Sequence, residues 1–225
     1  MKKNISEFIG TAFLVAAILG SNSLAMGMMD SSSAAHLAHS LSIGGTLMVM
    51  IIVFGPISGG HFNPAVTVSF LLKGDMKLAD AMPYFIAQIL GGIAGAVAIN
   101  IMFESTPFPI SEVVREGYGQ YFSEFITTFG LVMIIHILVN QKSDYIPFAV
   151  GTYIFAAITY SSSTAFANPA VAIGRIFSNA NASIDPQSAF IFCIVQIFAA
   201  LLAYVFCKTL LSEKEVKKIN KKRKK

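Results

Sequence analysis

Six stretches of this 225-residue chain are long and apolar enough to cross a lipid bilayer, and they constrain the fold more than any other feature. They cover residues 5–28, 37–57, 79–103, 121–139, 146–163 and 189–211. A hydrocarbon core about 30 Å thick takes about 20 helical residues to span. Inside it every backbone N–H and C=O must be paired within the segment, so each stretch is predicted to be a helix. Only 12% of the residues are charged, about half the share usual in soluble domains, and they gather between and after the stretches. The class is an all-α, multi-pass membrane protein. Lys2 and Lys3 precede the first stretch as they would in a secretory signal. That stretch exceeds the 7–15 residues of a signal core and no soluble domain follows it, so it is read as a span.

The basic residues set the orientation. With the N-terminus in the cytoplasm, the inner side receives Lys2, Lys3, Lys73, Lys77, Lys142, Lys208 and the basic tail at 213–225, while the outer side keeps Arg115 and Arg175. Such a split puts both termini in the cytoplasm. The tail is read as a topology anchor rather than a nucleic-acid or lipid-binding segment. Cys193 and Cys207 share one span at about 21 Å, too far apart to bridge, and are read as apolar packing residues.

The chain is internally duplicated. ISEFIGTAFLV at 5–15 matches FSEFITTFGLV at 122–132, which pairs Glu7 with Glu124. Asn63-Pro64-Ala65 matches Asn168-Pro169-Ala170, and Gln88 and Gln196 lie at comparable places in the third span of each half. The halves are about 1–115 and 116–212 of a single channel domain. Each holds three spans, an odd number, so the second copy enters the membrane inverted, and a central site is expected where the copies meet.

The short apolar stretches 63–72 and 168–177 reach only about 15 Å as helices, half of the core. Coming from opposite sides, they can meet near the midplane, with the preceding segments SGGHF and SSSTAFA lining a cavity. Asn is a strong helix N-cap and Pro suits the first helical position. The Asn oxygen would cap the half-helix and leave its NH2 to donate into the lumen. Two helix N-termini meeting there place about half a positive charge each at the centre, which repels cations and protons and admits neutral molecules. Coupled transport or intramembrane catalysis would call for ionisable or nucleophilic groups at the midplane, where this chain has Asn63 and Asn168. No enzyme activity, cofactor or metal is expected.

These motifs, SGGHFNPAVT, ANPAV, the paired SEF openings and the two membrane glutamines, resemble the aquaporins of the major intrinsic protein family over essentially the whole chain. The resemblance implies six transmembrane helices plus two half-helices in an inverted repeat. It also implies a homotetramer with one pore per subunit, partnered by lipid and small neutral solutes but not by nucleic acid. By the same resemblance Glu7 and Glu124 hold pore-loop backbone, and the carbonyls near Gly59, Gly60 and His61 line the inner half of the pore.

One position departs from the pattern. Most aquaporins carry Arg directly after the second motif, where this chain has Val171. Counting back from each Asn as in the family, the other constriction positions are Ile43, Ala156 and Ala165. The ring is then wider and less polar than the water-selective or glycerol-selective sets. Val at this position resembles a bacterial subgroup associated with arsenic handling, which implies an inner-membrane channel passing neutral hydroxylated solutes such as arsenous acid or methylated arsenicals besides water or glycerol. A conventional water or glycerol facilitator is the alternative. Arg175, four residues beyond Val171, faces the same way one turn further out. It either restores positive charge above the ring, or snorkels to the lipid headgroups or braces an outer loop. His36 and His39, with Met26, Met28 and Met29, suggest a soft-metal vestibule that lacks a third ligand of suitable spacing. His136 is read as a packing or hydrogen-bonding residue.

Overall fold

The computed structural model of the chain describes residues 1–28 and 32–211. The tail from 213, Met29, and the side chains of Met26 and Met28 lie outside the described residues. Among the described residues eight helices follow in order: α1 (Lys2–Met28), α2 (Ser32–Ser58), α3 (Pro64–Lys73), α4 (Leu78–Met102), α5 (Tyr118–Asn140), α6 (Ile146–Tyr160), α7 (Pro169–Arg175) and α8 (Pro186–Leu210). Among the described residues there is no strand. Six of the helices are the transmembrane set, and α3 and α7 are the half-helices of an inverted repeat.

Within each half the first helix packs on its neighbours, α1 on α2 and α4, α5 on α6 and α8. The halves join where α2 crosses α6, where α3 lies against α8 and where α7 lies against α4. Lipid offers apolar side chains no reason to leave it, so helix association rests on close packing. The crossing of α2 with α6 shows this: a Cβ at Gly44 would sit 2.6 Å from the Gly151 carbonyl oxygen, and a Cβ at Gly151 2.6 Å from that of Gly44. Polarity is distributed inside out. Phe13, Leu41, Ile86, Phe122, Phe190 and Phe198 are exposed on the periphery, while Glu7, Gln88, Glu124 and Gln196 are fully buried.

Two helices are shorter than the sequence expectation. Five helices have the length and apolarity of full spans, but α6 has 15 residues and ends at Tyr160 rather than 163, a reach of about 22 Å. Ser161 turns extended there, and residues 161–168 finish the path as the loop leading into α7. The second half-helix also stops early, after seven residues. Beyond Arg175 the chain tightens, with the N–H groups of Ile176 and Phe177 bonding to the carbonyls of Ile173 and Gly174. By contrast α3 runs its full ten residues and closes on Gly74 at φ 83°, the left-handed cap that glycine adopts without cost.

Candidate functional site

The site is built from the two loops that precede the half-helices. In the first, Gly59, Gly60 and Phe62 have φ of 93°, 64° and 48°, and the Glu7 carboxylate holds the chain in this shape. One oxygen accepts from the Ser58 hydroxyl at 2.7 Å and the His61 N–H at 3.1 Å, the other from the Phe62 N–H and the Gln88 amide, both at 2.7 Å. The second loop repeats the device. Glu124 accepts from the Phe166 and Ala167 N–H groups at 2.9 Å and from the Gln196 amide at 2.6 Å. Here Thr164, Ala165 and Ala167, none of them glycine, take φ of 60°, 47° and 45°. Each such residue costs about 1–3 kcal/mol, which charge-assisted bonds of about 1.5–3 kcal/mol offset.

Where the loops meet, the two asparagines tie the halves together. The Asn63 oxygen caps α3 through the Ala65 N–H at 2.8 Å, and the Asn168 oxygen caps α7 through Ala170 at 2.9 Å and Val171 at 3.3 Å. Their amide nitrogens cross over: Asn63 donates to the Ala167 carbonyl at 2.7 Å and Asn168 to that of Phe62 at 2.8 Å. The sequence reading left each NH2 wholly to the lumen, and that is corrected. One hydrogen of each binds the opposite loop, because left-handed Phe62 and Ala167 turn their carbonyls toward the other motif, and one hydrogen per asparagine remains for a solute.

One elongated cavity runs past both asparagines. Along α2 it is lined by His39, Ile43, Leu47 and Ile51, and along α6 by Ile146, Val150, Ile154 and Ile158, each set at the four-residue spacing of one helix face. Gly59, Gly60 and His61 line it toward the end where α1 begins, and Ala165, Val171 and Arg175 toward the opposite end. His61 is fixed by Thr67 at 3.1 Å and by stacking on Phe70 at 4.6 Å. His136 bonds Ser69 at 2.9 Å and stacks on the same ring.

Of the four positions counted back as the constriction, the structure brings Ile43, Ala165 and Val171 to the cavity and leaves Ala156 off it. Ala156 is two residues from both Ile154 and Ile158, so it points about 200° away from their stripe. Ile158, on that stripe, lines the cavity instead. Counting back from Asn168 assumes a loop length that the early end of α6 changes. Because α6 is apolar nearly all round, the sequence alone did not single out the stripe at 146, 150, 154 and 158. We expect Ile158→Cys, in a background lacking Cys193 and Cys207, to let a water-soluble thiol reagent block solute passage, and Ala156→Cys to be insensitive to it.

At the mouth away from the start of α1, Arg175 is buried. Its Nε donates to the Ala182 carbonyl and its guanidinium lies 3.4 Å from the centroid of the Phe166 ring. Arg115, to which the sequence reading assigned no role, holds the same loop by bonds to the carbonyls of Ser183 at 2.7 Å and Asn181 at 2.8 Å. Of the suggested metal vestibule, His36 bonds the Ile158 carbonyl at 3.2 Å and His39 the Ser21 hydroxyl at 2.8 Å.

The arrangement, a loop-lined passage between two capped half-helices in an inverted helical repeat, defines a membrane channel. A profile of the family described as Major intrinsic protein matches residues 1–162. Aquaglyceroporin AqpS of Rhizobium meliloti (strain 1021) is 38% identical over 210 residues, covering 93% of this chain and 90% of that protein. Glycerol uptake facilitator protein-like 6 of Lactiplantibacillus plantarum is 34% identical over 194 residues, 81% of this chain and 87% of its own. In fold the chain is similar to the X-ray structure of the aquaglyceroporin from Plasmodium falciparum, with a TM-score of 0.70 at 22% identity over 92% of this chain and 93% of that one. The chain belongs to the major intrinsic protein family. It is a multi-pass membrane protein and a passive channel for small solutes of the water and glycerol type, not an enzyme.

Proposed function

We propose that this channel passes neutral hydroxylated solutes larger than water, glycerol and uncharged arsenic hydroxides or methylated arsenicals among them, through a wide apolar constriction. The observation that carries the reading is Val171 at the cavity wall where the family pattern has Arg, with Ile43, Ala165 and, from α6, Ile158 lining the same cavity. Four apolar side chains offer a solute almost no hydrogen bonds in exchange for its hydration, so passage is decided by size and by the absence of charge. The aquaglyceroporin and glycerol facilitator names of the relatives support glycerol as one such solute. The assembly is a homotetramer in a bacterial inner membrane, with both termini and the tail at 213–225 in the cytoplasm and the repeat halves at about 1–115 and 116–212.

The test is stopped-flow light scattering on proteoliposomes of the full chain with water, glycerol, urea and arsenite. Glycerol and arsenite are expected to pass at rates well above protein-free liposomes. Passage of water with exclusion of all three larger solutes would reject the wide ring and favour a conventional water channel.

A further inference from the structure

We infer that His39 and Arg175 form a polar collar one helical turn outside the apolar ring, and that this collar is the channel's cation barrier and hydroxyl-binding subsite, displaced outward from Val171. Both residues line the cavity and both are buried. Each stands four residues from a ring residue on the same helix face, His39 from Ile43 on α2 and Arg175 from Val171 at the end of α7, an outward step of about 6 Å.

Arg175 is held too firmly for an arginine merely reaching for headgroups. Its Nε is spent on the Ala182 carbonyl and its plane lies on Phe166. The Ala182 N–H is in turn bound by the Asn22 side chain at 3.1 Å, and Arg115 fastens the flanking carbonyls of Asn181 and Ser183. Among the described residues Nε is the one guanidinium nitrogen with a protein partner, which leaves the two Nη groups to the cavity as donors. Bracing and charge placement, which the sequence set against each other, are therefore one arrangement.

His39 supplies the complementary group. The Ser21 hydroxyl donates its hydrogen to the Ala17 carbonyl at 2.5 Å, so it accepts in its contact with His39 and Nδ1 carries the proton. Nε2 is then an acceptor. A collar with guanidinium donors on one side and an imidazole acceptor on the other suits a small neutral solute whose hydroxyls both donate and accept, and the fixed positive charge repels cations before they reach the ring.

This inference rests on the cavity being the conduction path, and the test separates the two. Proteoliposomes of the full chain are assayed for glycerol flux and for potassium leak, for wild type, Arg175→Met, Arg175→Lys and His39→Leu, with Arg175→Met also in a Val171→Arg background. Arg175→Met removes the charge and keeps an unbranched apolar side chain, and Arg175→Gln, which can still donate to the Ala182 carbonyl, carries the same expectation should it not reconstitute. Removing the charge is expected to raise potassium leak roughly tenfold, and lysine to suppress that rise. In the Val171→Arg background the same removal should have little effect. His39→Leu should lower glycerol flux roughly threefold with no added leak. An unchanged leak in an Arg175→Met or Arg175→Gln channel that still passes glycerol would overturn the collar. So would an equal rise in both backgrounds, which is the signature of loop bracing alone. A wild type that passes no solute would reject the conduction path itself.

Discussion

Glu124→Leu is expected to abolish glycerol passage and to lower the thermal unfolding midpoint of the detergent-solubilised protein sharply. The carboxylate accepts from the Phe166 and Ala167 N–H groups and from Gln196, all of them buried. Each donor left without a partner costs about 1–3 kcal/mol, and removing the cost of burying the carboxylate returns only part of that sum. Nothing then opposes the strain in the left-handed residues Thr164, Ala165 and Ala167, so the loop relaxes and the Asn168 bond to Phe62 goes with it. Glu124→Gln should fall between the two, because its amide keeps one acceptor oxygen but turns an NH2 toward backbone donors. Glu7→Leu should do less harm to loop shape. Two of the three left-handed positions in the first loop are the glycines 59 and 60, where that conformation carries no side-chain penalty. Thermal unfolding followed by circular dichroism and glycerol efflux from proteoliposomes read the two effects. A Glu124→Leu channel with wild-type stability and flux would show that the carboxylate does not hold the loop.

Val171→Arg is expected to reduce glycerol passage about tenfold or more while leaving water passage within a few-fold of wild type. Val171 is almost wholly buried on the wall of the cavity that Ile43 and Ala165 also line. A guanidinium there narrows the ring and presents donors a small solute must engage one at a time. It would also stand one turn from Arg175, and like charges at that spacing repel, which should cost some stability. Stopped-flow rates for water and glycerol on the same vesicles give the ratio directly. An unchanged ratio would mean that the ring at Val171 is not the narrowest part of the passage.

The paired motifs carried most of the architecture in the sequence. Helix existence follows from apolar length in a solvent that cannot hydrogen-bond, and inversion follows from an odd number of spans per copy. The half-helices follow from Asn and Pro at a helix start, and the partnership of Glu7 and Glu124 with the loops from the family resemblance. Each of these is local or a matter of counting. The counted position that does not reach the cavity is Ala156: a count through a loop depends on that loop's length, and α6 is too uniformly apolar for periodicity to single out the face that carries Ile146, Val150, Ile154 and Ile158.

The sequence by itself determined that this chain spans a membrane as two inverted copies with an uncharged centre and an apolar residue where the family pattern has Arg. Tertiary structure alone decided how the copies are fastened. The Asn63 amide meets the Ala167 carbonyl and the Asn168 amide meets that of Phe62, pairs more than a hundred positions apart that no local periodicity connects. It likewise decided that Ile158 rather than Ala156 faces the cavity, and that Arg175 is both clamped to a loop and turned to the pore. Direction of a side chain depends on where its helix stops and what packs behind it. Those quantities are set by contacts between distant segments, and they exist only once the halves have closed on each other.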